Sequence, residues 1–196
     1  DVLQPTQERL TTLYDEAQHL QHLVADLRTL SLADAGELSL QREVLLPPEL
    51  LQRVQSAWQT QAQQRQVRLE TLAATDLPPL HVDPERMMQV FNNLVSNALR
   101  YTPTGGKIML TAQYATDHVL LMVSDTGKGI AAEHLPLLFD RFYRADPARQ
   151  DEDGASGLGL AIARSIVEAH SGVLSATSAG LGQGATFTVK LPGYRE

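Results

Sequence analysis

The chain has 196 residues with 43% hydrophobic and 20% charged side chains, ordinary values for one packed domain carrying an extra element. Its net charge of −7 speaks against a nucleic-acid binder that works through a basic surface, and the absence of cysteine excludes disulfide frameworks and thiolate metal sites. No apolar run is long enough to cross a bilayer as a helix, no signal peptide opens the chain, and a first residue of Asp is expected of a piece of something longer.

Residues 6–31 read as one long helix. Leu10, Leu13, Ala17, Leu20, Val24 and Leu27 follow spacings of three and four in alternation, the a/d seam of a coiled coil rather than the wider stripe of a helix on a globular core. Pro5 stands where a helix can begin and Gly36 where one can end. Such a seam has to be buried against partners, which implies a helical hairpin or a dimer bundle. His19 and His22, on the same helix, read as solvated or seam-edge residues.

After Gly36 the pattern changes. Glu43–Leu46 is a short strand candidate stopped by Pro47 and Pro48, and residues 49–64 form a glutamine-rich helix with Leu50, Leu51, Val54, Ala57 and Trp58 on its buried side. Residues 67–72 alternate like a strand, and 80–82 form a second short one. Asp83, Pro84 and Glu85 then supply a capping residue, a first-turn proline and an early acid. The helix they open runs through Gln89–Pro103, with Val90, Phe91, Leu94, Val95, Ala98 and Leu99 as its apolar stripe. Asn93 and Asn97, four apart, share a second face with Arg100 close by, although asparagine is a mediocre helix-interior residue. Surface polarity and a ligand site account for that pair equally well at this point.

Residues 107–114 and 119–124 flank a tight turn and form a hairpin. His118 in that turn and His81 near a strand end read as surface residues. Residues 134–144 form a short, aromatic-rich helical piece followed by a polar loop, residues 157–170 a helix with Leu160, Ile162, Ala163, Ile166 and Val167 inside, and 173–177 with 186–191 a last strand pair. Three helices mixed with hairpin-linked strands predict an α+β, two-layer sandwich from residue 43 on, with mostly antiparallel strands.

Glycines gather in three runs, each beside an element boundary. In Asp125-Thr-Gly-Lys-Gly-Ile130 a carboxylate at a strand end can accept from an exocyclic amine, while Gly127 and Gly129 let the backbone approach a flat ligand. Gly154–Leu160 runs into a helix and offers backbone N–H groups for a phosphate, without the Gly-Lys-Ser/Thr ending of a Walker loop or the strand that precedes a Rossmann turn. Gly180–Phe187 alone reads as a hairpin turn.

Taken in order, Asn93…Asn97, Asp125-x-Gly-x-Gly, Phe139-Asp-Arg-Phe142, Gly157-Leu-Gly-Leu160 and Gly182-x-Gly-x-Thr186 resemble the asparagine, glycine and phenylalanine boxes of sensor histidine kinases of two-component systems. The resemblance covers about residues 40–192 as the catalytic ATP-binding domain. It implies a Bergerat ATP-binding fold, helices on one face of a mixed sheet, spanning 43–196 after a linker at 36–42. Residues 1–35 resemble the second helix of the dimerisation and histidine-phosphotransfer hairpin.

By that resemblance Asn97 holds Mg²⁺ through its side-chain oxygen, a hard ligand, with Asn93 beside it near the ATP phosphates. Arg100 contacts phosphate, Tyr101 packs on the adenine, and Asp125 accepts its amino hydrogen. Gly127, Gly129 and Ile130 line the base pocket, and Thr186 completes it. Gly157, Leu158, Gly159 and Leu160 seat phosphates at the helix start. Phe139 and Phe142 anchor a lid over about 145–156, and Arg141 reaches phosphate when it closes. Asn93, Arg100 and Arg141 are thereby cast as catalytic, and ATP and Mg²⁺ as cofactors.

In the ATP-hydrolysing relatives of the fold a glutamate at the Asn93 position activates water. An amide cannot act as a general base at neutral pH, which favours phosphoryl transfer over hydrolysis. The phosphoacceptor pattern, a histidine followed by an acid and then Arg/Lys-Thr-Pro, does not occur, since His19 is followed by Leu20 and His22 by Leu23. The acceptor is expected on a preceding helix. The expected partners are that hairpin, a response-regulator receiver domain and a second copy of the chain, with no nucleic acid, for a cytoplasmic domain of a membrane-anchored sensor. An ATP-hydrolysing conformational machine and a catalytically silent interaction module are the competing readings.

Overall fold

The computed structural model describes residues 6–145 and 156–194, without the side chains of Glu8, Asp15, His19 and His22. Gly154 and Ala155 of the second glycine run, almost all of the expected lid, and the side chains of both helix histidines therefore lie outside the described residues.

Helix α1 (Gln7–Asp34) starts at Thr6, whose Oγ1 accepts from Arg9 N–H. It runs three residues beyond the expected end, to a Schellman closure in which Gly36 N–H bonds Ala33 O and Glu37 N–H bonds Leu32 O. Strand β1 (Glu43–Leu45) leads into α2 (Pro47–Gln64), then β2 (Arg68–Ala73), β3 (Leu80–Val82) and α3 (Pro84–Tyr101). A hairpin of β4 (Lys107–Ala115) and β5 (His118–Asp125) follows, then α4 (Gly159–Ala169) and the strands β6 (Val173–Thr177) and β7 (Thr186–Pro192).

The main sheet has the order β2-β4-β5-β7-β6, with β2 parallel to β4 and every other pair antiparallel. β1 and β3 pair separately. Alternate residues of the central strands are buried (Ile108, Leu110, Ala112; Val119, Leu121, Val123; Phe187, Val189, Leu191). They meet Leu50, Leu51 and Val54 of α2, Val90, Phe91 and Leu94 of α3, and Ile162, Ile166 and Val167 of α4 in a single cluster. The intervening residues, such as Met109, Thr111, Met122 and Thr188, stay half-exposed on the other face. This is the two-layer α+β arrangement with a mixed sheet.

Four details differ from the pattern-based expectation. Ala57 is exposed, because the inward line of α2 steps by four through Leu50, Val54, Trp58 and Ala62. The 134–144 stretch holds only a 3₁₀ turn at Leu135–Leu137, and Phe142 breaks any continuation with φ of 62°. Leu160 is half-buried rather than inside the core. The hairpin turn is shorter than expected: only Thr116 and Asp117 lie between the strands, both with positive φ (53° and 62°), the geometry that matches the strands' twist.

A buried junction ties the two site-bearing helices together. Asp83 caps α3, its Oδ1 accepting from Arg86 N–H (3.0 Å), while its Oδ2 accepts from Gln41 N–H (2.9 Å). Its own N–H donates to Nε2 of His170, at the end of α4, at 3.0 Å. His170 Nδ1 lies 2.8 Å from Ile166 O, so the ring is the neutral Nδ1–H tautomer, with Nε2 as acceptor. At its C-terminal end α1 packs on α4, with Thr29 and Leu30 buried. The seam residues Leu10, Leu13, Leu20, Val24 and Leu27 remain 49–66% exposed.

Candidate functional site

The apolar stripe of α3 fixes the rotation of the helix and thereby turns Asn93, Asn97 and Arg100 toward one cleft. The amide nitrogen of Asn93 is buried and has no hydrogen-bond partner. A donor buried in this way costs about 1–3 kcal/mol unless a ligand satisfies it. Gly159, at the start of α4, lies directly against it: a Cβ there would sit 3.2 Å from Asn93 Oδ1 and 3.3 Å from Cγ. No side chain caps α4. Gly159 and Leu160 of its first turn line the cleft beside the orphaned amide, a combination suited to an anion.

At the opposite end Asp125 closes β5. Its Oδ1 accepts from Gly127 N–H (2.8 Å) and Ala185 N–H (3.3 Å), which leaves Oδ2 for a ligand donor. Burial pushes its pKa above the ordinary aspartate value, and the two backbone N–H groups oppose that rise. Two glycine loops are locked around this carboxylate. Gly182 N–H donates to Lys128 O (2.6 Å) and Gly184 N–H to Gly127 O (3.1 Å). Gly129 and Gly184 both have positive φ (67° and 68°), and a Cβ at either would run into the carbonyl of Gly180 or of Asp125. Ser178 pins the same loops, accepting from Ile130 N–H (3.0 Å) and donating to Gly184 O (2.6 Å).

Between these ends lies a cleft of about 560 Å³. Of the residues expected from sequence it brings together Asn93, Asn97, Arg100, Tyr101, Asp125, Gly129, Ile130, Gly157, Gly159 and Leu160. Gly127 acts one step behind, through its bond to Asp125. Leu158 turns its side chain into the core, 1% exposed, and its N–H goes to Ser156 Oγ. Thr186 bonds Ser124 Oγ (2.9 Å) on the sheet's open face, and Ala185 and Phe187 line the cleft instead. Arg141 is outside the lining and paired with Asp34 of α1. Phe139 stacks edge-on against Phe187 (6.5 Å), whereas Phe142 is 63% exposed.

Sequence reasoning missed Lys128, His134, Tyr143, Arg144 and Ala185 as lining residues, and Leu23 and Asp26 of α1 as part of the wall. Arg100, Lys128 and Arg144 give the cleft three cations against two carboxylates, Asp26 and Asp125. His134 Nδ1 and Tyr143 Oη are 2.7 Å apart and tie the 3₁₀ turn to the segment after Phe142. Among the described residues no group of three His, Asp or Glu side chains could hold a metal unaided. Of the residues lining the cleft, Asn97 carries an amide oxygen of the kind that can serve as a hard ligand.

The family model for histidine kinase-, DNA gyrase B- and HSP90-like ATPases matches residues 82–195, and the chain belongs to that family. Among its relatives is the signal transduction histidine-protein kinase BaeS of Escherichia coli K12, 37% identical over 191 residues, which are 97% of this chain and 40% of BaeS. The histidine kinase AdeS of Acinetobacter baumannii superposes with a TM-score of 0.81 at 28% identity, over 99% of this chain and 88% of AdeS. Full-length ShkA in complex with AMPPNP superposes with a TM-score of 0.86 at 26% identity, over 100% of this chain and 40% of ShkA. Within the family the chain is similar to the catalytic domains of histidine kinases such as BaeS and AdeS, and it spans about two fifths of the curated relative BaeS.

Proposed function

We propose that the cleft binds Mg·ATP and that, in the whole protein, the γ-phosphoryl group passes to a histidine of a dimerisation hairpin and on to a response-regulator aspartate. The orphaned Asn93 amide beside the uncapped start of α4, opposite the Asp125 carboxylate, is the observation that carries this reading. It supports an anion seat beside α4 and an acceptor for an exocyclic amine at Asp125. Asn97 would hold Mg²⁺, which neutralises charge on the phosphate oxygens. Asn93 N–H and the first N–H groups of α4 would hold the phosphates, with Arg100 adding a permanent charge. Asp125 Oδ2 would fix the adenine and Tyr101 would cover it. Catalysis then rests on positioning and charge neutralisation, as is general for phosphoryl transfer.

Asn93 offers no proton acceptor for an attacking water, which supports a protein side chain as phosphoryl acceptor over hydrolysis. No helix among the described residues is long and apolar enough to cross a membrane. Membrane anchoring, cytoplasmic placement and pairing through the α1 seam are proposed for the whole protein on the resemblance alone.

Nucleotide titrations with and without Mg²⁺ test the site. Trp58, the only tryptophan, donates Nε1–H to Asn92 Oδ1 (2.9 Å), next to Asn93, and can report occupancy. Mg²⁺ should tighten AMPPNP binding by about tenfold in the wild type, the effect of roughly one charge-assisted contact. That gain should vanish in Asn97→Ala, with adenosine binding unchanged. A Mg²⁺ effect retained in Asn97→Ala would remove Asn97 from the metal site.

A further inference from the structure

Ser178 stands directly after β6 and lies outside the three glycine runs of the sequence. Its hydroxyl is fully used. The oxygen accepts from Ile130 N–H at 3.0 Å and from Gly180 N–H at 3.2 Å. The single hydrogen goes to Gly184 O at 2.6 Å, in preference to Gly180 O at 3.3 Å. One side chain thus joins the loop after β5 to the loop before β7, across 48 residues of sequence.

The Gly184 carbonyl belongs to the same peptide unit as the Ala185 N–H. A planar trans peptide points these two groups in opposite directions. Ser178 therefore holds one side of the unit while the other side donates to Asp125 Oδ1 at 3.3 Å. Ala185 O in turn accepts from Asp125 N–H at 2.9 Å, which keeps the two residues side by side. Hydrogen bonds linked through one peptide polarise each other, so Ala185 N–H donates better when the Gly184 carbonyl is itself bonded. That N–H is one of two that favour the ionised carboxylate against its burial. Asp125 and Ala185 line the cleft and Ser178 does not, so Ser178 reaches a ligand only through them.

We propose that Ser178 is a positioning residue for base recognition: through the Gly184–Ala185 peptide it holds the Asp125 carboxylate in the orientation that presents Oδ2 to an exocyclic amine. The inference rests on the reading of the cleft as a nucleotide site in which Asp125 takes the adenine amine. It adds a residue that separates purines carrying that amine from purines lacking it, without touching either.

The test is calorimetric titration of the 196-residue chain with adenosine and with purine riboside, which is adenosine without the exocyclic amine. The wild type should prefer adenosine. Ser178→Ala should weaken adenosine binding by about three- to tenfold, the size of one neutral hydrogen bond, and leave purine riboside binding unchanged. Purine riboside also reports that the pocket of the variant is folded. In an Asp125→Ala background Ser178→Ala should cost adenosine nothing further, because the two residues act in series. Unchanged adenosine affinity in Ser178→Ala would overturn the proposal. So would an equal loss for both ligands, the mark of a loop that has lost its shape, or a loss that persists without Asp125. A wild type that does not prefer adenosine to purine riboside would overturn the reading of Asp125 itself, an outcome distinct from a preference that ignores Ser178.

Discussion

Asp125 concentrates the chemistry of the site in one carboxylate. Its ionised form accepts two backbone N–H groups at Oδ1 and leaves Oδ2 for the proposed contact with the base, while burial favours the protonated form. Because the folded pKa is raised, ionisation at neutral pH costs stability rather than adding it. Asp125→Asn should therefore keep or raise the melting temperature. It should weaken adenosine binding by about ten- to a hundredfold, from 1.5–3 kcal/mol for a hydrogen bond to a charged group. In the wild type, adenosine affinity should fall on acidification at a pH above the usual aspartate value of about 3.9, and the variant should lack that fall. Adenosine is the right probe because it carries no phosphate that titrates.

Much of this residue-level picture was legible. Asn93, Asn97 and Asp125 occur in a pattern specific enough to find, and all three line the cleft. Thr186 was misplaced for a reason also present in the sequence. Phe187, Val189 and Leu191 form the inward set of β7, so a period of two sends Thr186 outward and leaves Ala185 at the cleft. Arg141 had no local signal, because its partner Asp34 is brought to it only by the fold.

At the scale of elements, the α3–α4 junction holds the site together. His170 is 3% exposed, and burial, followed by the nearby Arg42 charge, lowers its pKa against the opposing effects of Ile166 O and Asp83. Protonation would place an N–H at Nε2, facing the Asp83 N–H that now donates to it. With a folded pKa below the unfolded value of about 6.5, the native state binds fewer protons in that window. Its contribution to stability is complete above about pH 6.5 and is lost as the pH falls toward the folded pKa. His170→Ala should cost about 1–3 kcal/mol in urea unfolding at pH 7.5, the penalty of an unpaired buried N–H. It should also flatten the rise of stability with pH below about 6.5. An unaltered pH slope would contradict this role. Neither the ring's burial nor its partner could be read from sequence, since both depend on a contact 87 residues away. The capping role of Asp83, a local effect, was read correctly.

Most helix and strand positions were legible because apolar periodicity is strong in this chain. The 134–144 segment was not, because its aromatic residues serve tertiary contacts, Phe139 with Phe187 and Tyr143 with His134, rather than a helical face.

For the whole molecule, α1 has two faces with different fates. Leu23 and Leu30 pack inward, while five large apolar residues of the seam stay exposed. Pairing through that seam is the proposed use of the outer face. Leu13→Glu combined with Leu20→Glu should abolish concentration-dependent association in analytical ultracentrifugation. Neither residue lines the cleft, so adenosine affinity should be unchanged. The seam was visible as a heptad pattern, but the inner face was not. Leu23, Asp26 and Asp34 make no apolar stripe, and their role emerges only where α1 meets the catalytic domain.

The central proposal is that this domain serves phosphoryl transfer to a histidine in the whole protein rather than hydrolysis of ATP. The chain can be incubated with Mg²⁺, ATP radiolabelled at the γ-phosphate, and a separate helical hairpin bearing a histidine followed by an acid and an Arg/Lys-Thr-Pro stretch. Label should appear on the hairpin, stable to base and labile to acid, and Asn97→Ala should lose it. Free phosphate released at the same rate with and without the hairpin, with no label on protein, would contradict the account.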